Sequence, residues 1–108
     1  MRTDPRLLVL VLSCGLGASS VAADSWSVRK CALYRDAWQQ VLDTQPPEGT
    51  SDGFMARHQD FVDNGCPAAT RICARTDGDV TLANLMTILS MNEGMASTFV
   101  PFGCPDRD

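Results

Sequence analysis

Cys31, Cys66, Cys73 and Cys104 follow residue 23, and two cross-links among them would leave few architectures open to so short a chain. Whether they pair depends on compartment. The opening residues, MRTDPRLLVLVLSCGLGASSVAA, set Arg2 and Arg6 ahead of an apolar run from Leu7 to Leu12 and close on the small residues Val21-Ala22-Ala23. A signal peptidase reads that order, so residues 1–23 are expected to be a signal peptide and 24–108 a single small helical domain. The run is shorter than the ~20 apolar residues of a bilayer-spanning helix, so no stable membrane insertion is expected. Leu12-Ser13-Cys14-Gly15 offers a rival reading, a lipoprotein site at Cys14. Abundant Ala and a preference for Arg over Lys hint at a GC-rich bacterial genome, hence export to the periplasm or the extracellular medium. An even number of cysteines in an oxidising compartment implies disulfide bonds.

Without residues 1–23 the chain has 85 residues, enough for one domain. So small a domain buries a modest share of its unfolded surface, which makes cross-links useful. Nine Lys and Arg less Arg2 and Arg6 leave seven; thirteen Asp and Glu less Asp4 leave twelve, a net of −5. The acidic residues are scattered, which disfavours nucleic acid, whose phosphates need clustered cations. No pair of cysteines is spaced C-x-x-C, so neither a zinc knuckle nor a thioredoxin-like redox pair is indicated.

Apolar periodicity predicts an all-α chain, a small disulfide-stapled bundle of about four helices with an extended C-terminal tail. The first helix spans Ser25 to Leu42, with Cys31, Tyr34, Trp38 and Val41 on one face and Asp24, Ser25 or Ser27 as N-cap. Gln45-Pro46-Pro47 ends it. The second spans Ser51 to Asn64, with Phe54, Met55, His58, Phe61 and Val62 as its stripe and Asn64-Gly65 as its stop. A short third helix is expected from Pro67 to Ala74. The fourth runs from Thr76-Asp77-Gly78-Asp79 to about Glu93, with capping carboxylates at its positive end. No charged residue occurs from Val80 to Asn92, and its apolar surface reaches almost all round, so burial at the centre is expected.

A helical 67–74 would separate Cys66 from Cys73 by ~10 Å of rise, beyond disulfide reach. Antiparallel packing of the first two helices sets Cys31 level with the end of the second. That favours Cys31–Cys66 with Cys73–Cys104 and leaves Cys31–Cys73 with Cys66–Cys104 open. Either pairing pins the tail, with Phe99 and Phe102, as a lid over the fourth helix.

Candidate chemistry is sparse. His58 reads as a half-buried packing residue, with no nucleophile or second acid identified beside it. Asp77-Gly78-Asp79 lacks the full calcium-loop pattern and reads as helix capping. Met86, Met91 and Met95 could suit soft Cu(I), although methionine also fills core gaps. Trp26 is the aromatic residue expected to be exposed. These features point to a non-enzymatic exported module that binds another exported protein, as inhibitor, immunity protein or accessory subunit. Trp26, Met91, Met95, Phe99 and Phe102 form the candidate partner surface. A small-ligand or copper carrier is the alternative, and no cofactor is otherwise expected. The cysteine-bearing first helix and the ending Phe102-Gly103-Cys104 are similar, over scattered positions, to small helical periplasmic immunity proteins of type VI secretion, which implies a protein-binding role.

Overall fold

A computed structural model describes the backbone of residues 18–105 and the side chains of 25–105. Most of the expected signal peptide, Cys14 included, lies outside these residues. Among the described residues there are three α-helices, α1 (Ala18–Thr44), α2 (Asp52–Asp63) and α3 (Asp77–Asn92), followed by a 3-10 turn at Ser97–Phe99. Among the described residues there is no strand, only an isolated parallel bridge between Ile72 and Phe102. No described helix is long and apolar enough to cross a membrane.

The described residues are mostly helical, but several expectations need correction. α1 begins at Ala18, not beside Asp24, so Ser25 and Ser27 lie inside the helix and cap nothing. Ala-rich sequence propagates a helix readily, and no glycine or proline interrupts 18–24. The helix expected over 67–74 does not form. Thr70 N–H closes a turn on the Pro67 carbonyl (3.2 Å), and Ile72 then gives its N–H to Pro101 O (2.7 Å) while its carbonyl accepts from Gly103 N (3.0 Å). A distant strand-like partner has taken the groups that a helix would have used internally.

α2 and α3 carry matching ends. Ser51 Oγ caps α2 by accepting from Phe54 N, and Thr76 and Asp79 form a reciprocal capping box on α3. At the other end of α2, Gly65 (φ +84°) donates to Val62 O and Cys66 to Phe61 O; at the end of α3, Gly94 donates to Met91 O and Met95 to Ser90 O. Both are Schellman closures, in which a left-handed residue turns the chain away and satisfies carbonyls the helix leaves open.

α1 packs against both α2 and α3. Tyr34, Trp38 and Val41 of α1, Phe54, Phe61 and Val62 of α2, Leu82 and Met86 of α3, and Ile72 and Met95 from the connections form one core. Two disulfides clamp it: Cys31–Cys66 joins α1 to the end of α2 (Cα–Cα 5.6 Å), and Cys73–Cys104 joins the 66–76 connection to the chain end (4.5 Å). α3 is not buried all round. Leu82, Met86 and Ser90 face the core, while Val80 (47% exposed), Ile88 (56%) and Met91 (53%) face out. With no helix over 67–74, no described element covers that side. Phe99 and Phe102 lie on the aromatic residues of α1 and α2: Phe99 against Tyr34, and Phe102 stacked on Phe54 and His58.

Candidate functional site

Two titratable groups, His58 and Asp79, are buried. His58 is fully buried. Its Nε2 shares a 2.6 Å hydrogen bond with the Tyr34 hydroxyl, while Nδ1 has no hydrogen-bond partner among the described residues. Trp38 meets the ring edge-on at 4.3 Å between centroids, and Phe102 stacks on it at 5.5 Å. Burial in this aromatic cage lowers its pKa to about 4 and holds it neutral. Tyr34 is pushed upward by the same burial.

Asp79 is buried but richly bonded. Oδ1 accepts from Ser51 N (2.8 Å) and Ser51 Oγ (3.0 Å), and Oδ2 accepts from Arg75 N (3.0 Å) and Thr76 N (3.2 Å). Burial alone would raise its pKa; the hydrogen bonds outweigh it and bring the value down to about 2. Thr76 Oγ1 extends the junction by donating to Gly49 O (2.8 Å). Gly78 lies so close to the Gly49–Thr50 backbone that a Cβ there would collide with it. The Asp77-Gly78-Asp79 sequence thus seals a helix start, and among the described residues no group of three or more His, Cys, Asp and Glu is arranged for a metal ion.

The outward features lie elsewhere. α1 projects its first turns beyond the core, leaving Ser25, Trp26, Ser27, Val28 and Arg29 exposed. Trp26 is 46% exposed, and Lys30, one turn further on, places Nζ 5.9 Å from the Trp26 ring centroid and 5.6 Å from that of Phe99. Beside this arrangement runs a groove of about 350 Å³, walled by Ser27 and Lys30 of α1, by Gly65, Cys66 and Ala68 after α2, and by Ala96, Thr98 and Phe99. The Cys31–Cys66 bridge holds two of these walls in register.

The structure therefore brings Trp26 and Phe99 of the candidate surface to one place, with Lys30 between them. Met91 faces out from α3. Met95, expected on the surface, is buried in the core because the Schellman closure turns it inward. Phe102 is half-buried and serves as a lid on His58. Met86 is also buried in the core, whereas Met91 is exposed. Reasoning from sequence missed Lys30, although its position four residues after Trp26 on a helix was the available signal. Ala68 and Ala96 carried no signal; only the folded connections make them walls. Compared with family models, curated proteins and solved structures, the chain matches none.

Proposed function

We propose that this chain is an exported, non-enzymatic module that binds another exported protein through the groove beside Trp26. The observation that carries the reading is an exposed tryptophan whose ring lies 5.9 Å from the ammonium of Lys30, a residue that walls a concave site together with Phe99, the second ring near that ammonium. Tryptophan in such a position buries much area on contact at little conformational cost and is enriched among the residues that dominate binding energy. The groove accepts one apolar side chain, and Lys30 offers a charge partner for a carboxylate beside it. Two disulfides and the expected leader over residues 1–23 support the exported location.

The test is isolation of the mature protein with its partner from the exported fraction, in three forms. Trp26→Ala removes the exposed ring beside Lys30 and Ala68→Trp fills the groove; both change exposed positions and should leave the melting temperature unchanged. A stoichiometric partner held by the native chain and lost from both variants is the expected result. A partner that survives both substitutions, or no stoichiometric partner at all, overturns the reading.

A further inference from the structure

We infer that the groove beside Trp26 is also a site of covalent modification, at which a small anionic thiol exchanges with the Cys31–Cys66 bridge by attacking Cys66. Cys66 is one of the groove's walls, and Lys30 is another. Cys31 is not: it is 6% exposed and faces the core. Access to the bridge is therefore one-sided, and a nucleophile that enters the groove meets Cys66 first.

The exchange balances without an outside oxidant. The incoming thiolate forms a bond to Cys66 Sγ while the bond between Cys66 Sγ and Cys31 Sγ breaks. The electron pair of that bond leaves on Cys31 Sγ, which takes a proton from water. One thiol is consumed and one released, and the product is a mixed disulfide at Cys66.

Two features set the preference for this bridge and this class of thiol. The first is charge. Without residues 1–23 the chain carries a net −5 and repels anionic thiols as a whole. Lys30 places an ammonium in the wall of the same groove, and among the described residues no carboxylate pairs with it. A groove of about 350 Å³ has room for a thiol that carries a carboxylate on a short chain.

The second is the backbone. Cys66 holds φ at +58°, in the left-handed region that disfavours a residue with a Cβ, directly after Gly65 at +84°. Opening the bridge frees Cys66 to leave that conformation, which opposes reclosure and preserves the adduct. Cys73–Cys104 is the contrast. Both of its residues are half-buried, so exposure alone would choose that bridge, but neither is left-handed. Ile72 N–H to Pro101 O (2.7 Å) and Gly103 N–H to Ile72 O (3.0 Å) tie the two segments beside it. Its sulfurs stay together after cleavage, and the neighbouring thiol expels an adduct. An adduct on Cys66 fills the groove, so on the binding role proposed above the modified and partner-bound forms exclude one another; the exchange itself needs no partner.

The test treats the mature, disulfide-intact chain with reduced glutathione, an anionic thiol, or with cysteamine, a cationic one. The reaction is quenched with acid and the chain is mapped by proteolysis and mass spectrometry without reductant. The expected first product carries glutathione on Cys66 and a free thiol on Cys31, with Cys73–Cys104 intact. Lys30→Gln should slow the glutathione reaction about threefold without slowing that of cysteamine, whereas a loosened fold would speed both. Ala68→Trp should slow both thiols at Cys66 by roughly threefold or more, by closing their path. These readouts do not involve the groove's protein partner, so failure of one proposal is distinguishable from failure of the other. The absence of an adduct, a first adduct on any other cysteine, or a Cys66 rate indifferent to either substitution overturns the inference.

Discussion

Asp79 and His58 are both buried and both titratable, and the chain treats them in opposite ways. Asp79 sits where two helix starts meet, and its carboxylate accepts from the backbone of Ser51, Arg75 and Thr76. It keeps its charge because that charge is answered by several donors. His58 sits among rings, with one bond to Tyr34 and a bare Nδ1, and it gives up its charge. A carboxylate can be buried at the end of a helix because free N–H groups are concentrated there; an imidazole on a helix face has no such supply. Both pKa values fall below their ordinary ones, for reasons of different kind. Hydrogen bonds to the charged form lower the acid, and desolvation of the charged form lowers the base.

Three measurements press on this comparison. The largest effect is expected from Asp79→Ala, which removes charged hydrogen bonds and strands buried donors, at a cost of about 4 kcal/mol in denaturant unfolding. A loss no larger than that of a single missing cap, ~1 kcal/mol, would show that the junction holds without its carboxylate.

Next is the response to acid. His58 binds a proton in the unfolded chain near pH 6.5 and in the folded chain only near 4, so the unfolded state takes up protons first. Stability is full above pH 6.5 and falls by about 3 kcal/mol as pH drops through that window. Asp79 is protonated near 3.8 when unfolded and near 2 when folded, so its contribution is lost only below 3.8. Unfolding free energy against pH should therefore show two separate declines. His58→Phe should abolish the upper one and leave the lower; an unchanged upper decline would assign it to another group. The smallest effect is Thr76→Ala, about 1 kcal/mol, because the capping hydroxyl is lost while the carboxylate remains. If it equalled Asp79→Ala, the hydroxyl rather than the charge would be the keystone.

The parts of the fold legible in the sequence are those governed by neighbours in the chain. Ser51, Asn64-Gly65 and Thr76 mark helix ends through local chemistry, and the structure places caps at each. The apolar stripe of α2 is local periodicity, and its residues reach the core. What failed was decided at a distance. Residues 67–74 have an acceptable helical start at Pro67, but Pro101 and Gly103, some thirty residues on, claim the backbone of Ile72. The rise argument against Cys66–Cys73 fails with the helix it assumed; the level placement of Cys31 and the end of α2 carries the observed pairing by itself. The burial expected for Val80, Ile88 and Met91 required a further neighbour for α3, which no property of α3 could supply. At the candidate site Trp26 was legible as an exposed aromatic, whereas the groove beside it is made by connections whose path the sequence does not show.

The order of the sulfur bridges along the chain has a consequence for biogenesis. Each joins one cysteine to the next in sequence, Cys31 to Cys66 and Cys73 to Cys104, with no interleaving. A polypeptide threaded amino-end first into an oxidising space presents these thiols two at a time. A dithiol oxidase acting greedily on each newly arrived pair would write the native connectivity without error. On the export route proposed above, with Cys14 removed along with residues 1–23, such a chain has no need of an isomerase to proofread it.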